Sequence, residues 1–305
     1  MLGLVGILSA FLPHHHHFKT LTEALDCADV EKRSTGGEDL LLAPLLLRAG
    51  VDFYHRRPTF IEIGAFDGLH GSQTLVLERC FGWDGALIEA SPPNFEALLA
   101  SNRTGAMAHA GVCNHSSGGT IKMSTGKVTT VAGDTSQMGN TAKRRWARDR
   151  PSVVDVPCMP LLTIYDDAMQ AHTAEQRSQQ QPWKRGERVT YLSLDVEGSE
   201  LVVLQSVPHL QEHPFDVLLV ENEFNNARDR AVAALLKQSG YTPFLIPQPA
   251  HGGTNSLYVS PRLVPLALQL LGNRSNRWEG AYKPVDVQGA LRTNLKKLGL
   301  ESPVG

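Results

Sequence analysis

Between residues 59 and 260, short apolar runs alternate with amphipathic stretches. Thr59–Ile63, bounded by Pro58 and Gly64, reads as a first buried strand, and Gln73–Cys80 as the helix after it, with Leu75, Leu77 and Cys80 available for packing. Ala86–Glu89 is a second strand. Pro92 and Pro93 then open a helix faced by Phe95, Leu98 and Leu99, since proline is tolerated in a first turn that lacks N–H partners. Ala106–Cys113 continues as a third strand, followed by a Ser/Gly turn and a short strand at Thr120–Ser124. A strand near Val154–Met159 leads to a helix from about Thr163, with Asp166 and Asp167 in its first turn, where acids suit the helix dipole. The core returns with the strand Val189–Asp195 and the helix Ser199–Val207. The strand Asp216–Glu221 follows, then the helix Ala227–Ser239, ended by Gly240. Thr242–Ile246 and Ser256–Val259 are the last strands, and Leu263–Leu271 is one more apolar helix. This alternation predicts an α/β fold, a mostly parallel seven-stranded sheet with helices on both faces.

The same pattern divides the chain. Residues 1–17 form an apolar leader with a histidine tetrad, and 18–57 a helical lead-in whose Leu40–Leu47 run is apolar enough to pack on the sheet. The domain occupies 58–262 with a polar, irregular insertion near 125–188, of which 171–188 reads as a surface loop; 263–305 is a C-terminal extension.

With 305 residues, 42% of them hydrophobic, the chain can bury one sizeable core. A formal net charge of -2 gives no global pull toward nucleic acid or anionic membrane. The basic run Lys143–Arg150 around Trp146 could grip phosphate and stack on a base, but it is short, and a solvated lid over an acceptor is the better reading. Cys27, Cys80, Cys113 and Cys158 are widely spaced with no C-x-x-C pair, which argues against a structural zinc site; buried free thiols are the expectation and disulfides the alternative. The apolar stretch 1–13 is shorter than the roughly 20 residues that span a bilayer. It has the length of a signal-peptide core but lacks a basic flank and a clean cleavage site. Sequons at Asn102, Asn114 and Asn273 would matter only in the secretory pathway. A cytoplasmic location is slightly favoured, with secretion as the alternative and membrane contact only through the leader.

Two stretches concentrate chemistry. Thr59-Phe-Ile-Glu-Ile-Gly-Ala-Phe-Asp-Gly68 ends a strand in acids and glycines, and Ala86-Leu-Ile-Glu89 ends the next strand in a carboxylate. Tyr191-Leu-Ser-Leu-Asp-Val-Glu-Gly-Ser-Glu200 repeats the design. Open α/β sheets bind ligands at such carboxyl ends. A nicotinamide dehydrogenase is the natural competitor, but residues 64–69 do not supply G-x-G-x-x-G. Asp195 and Glu197 are two apart and face the same way while the chain stays extended; a helix cap built from acids is the plainer use for them.

Together these stretches resemble the FkbM family of S-adenosylmethionine (SAM)-dependent methyltransferases. The likeness rests on Glu62-Ile-Gly-Ala-x-Asp-Gly68, Leu77-Glu-Arg79, Gly82-Trp83, Ile88-Glu89, Asn102-Arg103, Asp195-Val-Glu-Gly-x-Glu200 and Phe215–Glu221, over roughly residues 55–260. It implies a class I methyltransferase (Rossmann-like) fold, SAM as cofactor, and O-methylation of a small-molecule or glycan hydroxyl. On that reading Gly64, Ala65 and Gly68 let backbone approach the cofactor, and Glu62 and Asp67 take hydrogen bonds from its ammonium. Ser72 offers a hydroxyl at the first helix, Glu89 holds the ribose hydroxyls, and Val112 and Cys113 line the adenine pocket. Asp195 is the first choice for base or acceptor-orienting group and Glu197 the second. No metal is expected, although Asp195 with Glu221 or Glu223 could offer oxygen ligands. Two features depart from the family: the 125–188 segment is longer, and Ser91-Pro-Pro93 replaces a Glu-Pro-x-Pro ending. The competing functions are a non-catalytic scaffold of the same fold and, less favoured, a nucleic-acid methyltransferase.

Overall fold

The computed structural model describes residues 21–34, 37–53, 58–125, 132–138, 144, 152–175, 184–222, 226–244, 246 and 254–271. The leader with its histidines, Glu223, most of the basic run and everything after Leu271 lie outside the described residues.

Two helices, α1 (Leu21–Glu31) and α2 (Glu38–Phe53), precede the sheet. Then come β1 (Thr59–Ile63), α3 (Leu75–Phe81), β2 (Asp84–Glu89), α4 (Pro92–Leu99), β3 (Ala106–His109), β4 (Gly111–Val112), β5 (Gly119–Thr125), β6 (Ser152–Met159) and α5 (Leu161–Glu175). The second half holds β7 (Val189–Leu194), α6 (Glu200–Gln205), β8 (Phe215–Asn222), α7 (Asn226–Gln238), β9 (Thr242–Phe244), β10 (Thr254–Val259) and α8 (Val264–Leu271). Seven strands form one sheet in the order β3-β2-β1-β7-β8-β10-β9. Neighbours run parallel except β10, which is antiparallel to both β8 and β9. This is the class I methyltransferase arrangement.

Alternation along the strands feeds two apolar layers. Phe60, Leu87, Tyr191, Val217 and Leu257 point to one face, where Leu40, Leu42, Leu45 and Leu46 of α2 cover them with residues of α1, α3 and α8. Ile61, Ile88, Leu192, Leu218 and Tyr258 point to the other, under residues of α5, α6 and α7. The leucine run of the lead-in thus packs on the sheet as its pattern predicts.

Several boundaries differ from the pattern. The apolar stretch 106–113 breaks at Ala110, whose N–H makes a last ladder bond to the Glu89 carbonyl at 3.2 Å. Gly111 then starts β4 in a second, three-stranded sheet, β4-β6-β5. A side chain could not follow there, since a Cβ on Gly111 would lie 2.2 Å from Ile121 Cδ1. Ala106–His109 is partly buried and Gly111–Cys113 fully so, and neither half alternates in a way that marks the switch. Helix α5 begins at Leu161 and runs to Glu175, so Asp166 and Asp167 fall in its second turn and the first residues of the expected 171–188 loop are helical. Strand β9 covers Thr242–Phe244, and Leu245 lies outside the described residues.

The expectation of free thiols is wrong. Cys27 on α1 bonds Cys80 on α3, and Cys113 bonds Cys158 of β6. Closing loops of 53 and 45 residues removes chain entropy from the unfolded state, an effect of roughly 2–4 kcal/mol for a typical disulfide. The Cys27→Ser/Cys80→Ser double variant is therefore expected to lose about 2–4 kcal/mol in urea unfolding of the oxidised protein. An unchanged midpoint would show that this pair contributes no stability.

Candidate functional site

At the carboxyl ends of β1, β2, β7 and β8 the sheet opens into a cavity of about 360 Å³. Six carboxylates line it: Glu38 of α2, Glu62 of β1, Glu89 of β2, Asp195 and Glu197 after β7, and Glu221 of β8. A narrower slot of about 50 Å³ adjoins it, walled by Ile88, Ala110, Val112, Met123 and Val203 and also by Asp134. Gly64, Glu89 and Asp195 belong to both.

Gly64 brings the two sequence motifs together. Its φ is +78°, and a Cβ there would sit 1.7 Å from the Asp195 carbonyl oxygen. The Asp195 N–H donates to the Ile63 carbonyl at 3.1 Å, so the strand ends are locked side by side. Ala65 also lines the cavity. Gly68, expected beside the cofactor, instead faces α4: its Cβ would meet Leu98 Cδ1 at 2.5 Å. Asp67 does not line the cavity either. Its carboxylate accepts from the backbone N–H of Leu69 (2.9 Å) and His70 (2.8 Å) and pairs with His70 Nδ1 at 2.5 Å. Partial burial works to raise its pKa, but these bonds prevail and hold it below the usual carboxylate range.

Glu62 reaches the cavity wall, but its oxygens are engaged within the protein. They accept from Ser72 Oγ (2.9 Å), Gln73 N–H (2.7 Å) and Thr74 Oγ1 (2.5 Å). Ser72, expected to offer its hydroxyl to a ligand, spends the proton on Glu62 and also accepts from the Leu75 N–H at the start of α3. Beneath them lies Arg103, fully buried. Its Nε donates to Glu78 at 2.9 Å, Nη1 to the Gly68 carbonyl at 2.7 Å and Ser72 at 3.1 Å, and Nη2 to Thr74 at 2.8 Å. Nη1 is also 3.7 Å from Glu62. Burial raises the Glu62 pKa and the Arg103 charge opposes it. Glu62 and Arg103 thus brace the turn. The pairing of Asn102-Arg103 with the glycine motif contained this information, but nothing in the local sequence says that a lone arginine folds under a distant turn.

Glu89 stands where cavity and slot meet. Oε2 accepts the Phe66 N–H at 2.9 Å and Oε1 the Ser91 N–H at 2.7 Å. Burial pushes its pKa up to about 7 despite these bonds. Val112 lines the slot as expected; Cys113 does not, being tied to Cys158.

In the second motif the strand ends at Leu194 and the chain turns at once. Glu197 has φ +55° and Gly198 φ +109°, and a non-glycine residue in the left-handed region is a feature of functional turns. The extended-chain argument for a shared face of Asp195 and Glu197 therefore fails; both reach the cavity through the turn. Glu200, the last residue of the second motif, to which the sequence assigned no site role, shapes that turn. Its Oε1 accepts from the N–H groups of Val196 (3.2 Å) and Gly198 (3.1 Å). Asp195 opens into the cavity while protein surrounds it on the other sides. Burial raises its pKa. Burial, then the adjacent Asp195 charge, raises that of Glu221 further, and the two side chains share a hydrogen bond. Two carboxyls in contact at the cavity wall titrate as a pair that favours holding one proton between them. Among the described residues no group of histidines, cysteines and acids is arranged to hold a metal.

Solved structures similar to the chain are found at low identity and with TM-scores below 0.5. One is the methyltransferase FkbM from Methylobacillus flagellatus KT, at 14% identity and a TM-score of 0.42, covering 84% of this chain. The alignment spans 57% of that protein's chain. Another is the O-methyltransferase from Bacillus cereus in complex with SAH, at 12% identity and a TM-score of 0.32, covering 84% of this chain and 97% of that one. A precorrin-6y C5,15-methyltransferase from Geobacter metallireducens GS-15 aligns at 10% identity and a TM-score of 0.30, over 76% of this chain and 92% of that one. No family model and no curated protein sequence matches the chain.

Proposed function

We propose that the chain is a SAM-dependent methyltransferase acting on a hydroxyl of a small molecule or glycan. The observation that carries this reading is the acid-lined cavity joined, at Glu89, to an apolar slot. The donor set fits the cofactor's cationic groups, ribose and purine. SAM carries a sulfonium and an ammonium, which suit a wall of carboxylates, and a flat purine, which suits the slot. Its ribose diol suits a carboxylate placed at the junction. Glu89 and the backbone at Gly64 and Ala65 would hold it, with Val112 beside the base. When bound, SAM supplies a methyl group on a positively charged sulfur.

The protein's own residues do the rest. Asp195, hydrogen-bonded to Glu221, takes the proton from the acceptor hydroxyl. Glu197 orients that hydroxyl from the opposite side of the turn. Thermal unfolding with SAM, SAH, NAD and NADP tests the assignment. At about 100 times its dissociation constant a ligand adds about 2.7 kcal/mol. SAM and SAH are expected to raise the melting temperature; a rise with NAD or NADP alone would overturn the reading.

Glu89 also sets a pH dependence. Its pKa is raised, so its contribution to the ligand-free fold is present below 4.5 and lost as pH rises through about 7. The ligand works in the other direction, because ribose hydroxyls donate and only the ionised carboxylate accepts at both oxygens. SAM affinity is thus expected to rise about tenfold between pH 6 and pH 8 in calorimetric titrations. Glu89→Gln should bind more weakly and lose that part of the slope; an unchanged slope would remove Glu89 from the ribose site.

A further inference from the structure

We propose that this chain matures in an oxidising, glycosylating compartment and carries N-linked glycans on Asn102 and Asn114. The proposal is independent of the methyltransferase reading.

The first observation is the cysteine pairing. The four cysteines lie far apart in sequence, yet the fold brings all of them together in two pairs with Cα–Cα distances of 5.6 and 5.5 Å. These lie in the range that disulfide geometry requires. No free cysteine remains. No cysteine lines the cavity or the slot. One ties the lead-in helix α1 to α3, and the other closes the small sheet by joining Cys113, just after β4, to β6. Two structural disulfides that use every cysteine belong to an oxidising environment rather than a thiol-reducing one. Each bond forms when two thiols give up two electrons and two protons to the disulfide of an oxidoreductase by thiol–disulfide exchange.

The second observation is where the sequons fall. Asn102-Arg-Thr104 lies in the turn between α4 and β3, and Asn114-His-Ser116 in the turn between β4 and β5. Asn102, Thr104, Asn114 and Ser116 are all exposed, and neither asparagine lines the cavity or the slot. Asn102 has φ +57°, a turn conformation that asparagine adopts more readily than most residues. The buried neighbour Arg103 pins that turn to the core, so Asn102 is held outward. A glycan attached before folding would therefore meet solvent at both positions once the chain has folded. In the transfer, the asparagine amide nitrogen attacks C1 of a glycan carried on a lipid diphosphate. The N–C1 bond forms as the C1–O bond to phosphate breaks, the lipid diphosphate leaves, and the amide loses one proton to a base.

The test uses the full chain expressed in eukaryotic cells, with Asn273→Gln as background so that only these two sites are read. Treatment with a peptide N-glycosidase is expected to lower the apparent mass by two glycans. Asn102→Gln and Asn114→Gln should each remove one, and Thr104→Ala and Ser116→Ala should do the same while keeping the asparagine. Alkylation before reduction should label no cysteine. Unmodified Asn102 and Asn114 peptides in mass spectra would overturn the glycan assignment, a glycan at one position alone would overturn the other, and four alkylated cysteines would overturn the compartment.

Discussion

Asp195→Asn is expected to slow methyl transfer by roughly 10²–10⁴-fold, the usual worth of a positioned base, while SAM affinity changes little. The substitution keeps shape and removes the proton acceptor. It also removes the Asp195 charge beside Glu221, so the Glu221 pKa should move down, while burial and the charges of Glu197 and Glu200 keep it raised. Glu221→Gln tests the same pair from the other side. It removes the shared proton but retains a donor to Asp195, so the pH profile of kcat should change while the maximal rate falls less. Equal rates for wild type and Asp195→Asn, with acceptor saturating, would sink the base assignment. If both variants lose SAM binding as well, the acids are shaping the cavity rather than acting on the acceptor.

The second large effect concerns stability. Arg103→Met is expected to cost about 3–5 kcal/mol, the usual result of stripping one partner from a buried charge network. Glu62 and Glu78 would remain buried without their cation, and Gly68, Ser72 and Thr74 would each lose a donor. Arg103→Lys should recover part of this, since an ammonium restores charge but cannot reproduce the planar fork that serves four groups. Urea unfolding reads both variants. A loss below about 1 kcal/mol for Arg103→Met would mean that the acids take up protons and the turn is held by its remaining bonds.

The core strands were legible because both faces of the sheet are covered, so each strand is a short apolar run between punctuating residues. Thr59–Ile63 falls where the pattern puts it, and β2, β7 and β8 come within two residues. The cavity was half legible. Acids at strand ends announce a ligand edge, which is why Glu62, Glu89 and Asp195 stand on it. What those acids touch was not legible, because their partners are set by how the glycine turn folds back: Glu62 is engaged by Ser72 and Thr74, and Asp67 by His70. Gly68 was misread for a related reason. A glycine in a loop signals close approach, but the sequence does not say to what, and here it is the Leu98 side chain rather than a ligand. The disulfides were missed because spacing alone cannot distinguish a buried thiol from a bonded one.

The position of β10 bears on how the protein is made. The last strand of the sheet in sequence does not lie at its edge; it is inserted between β8 and β9. Until Val259 has left the ribosome, β8 presents an unpaired edge and β9 has no partner. Helix α8, which follows directly, packs with α2 in the same apolar layer. A nascent chain must therefore wait, with its first helices made and their oily faces open, for residues 254–271 to arrive. Truncation before residue 254 should yield aggregation in place of a smaller folded unit.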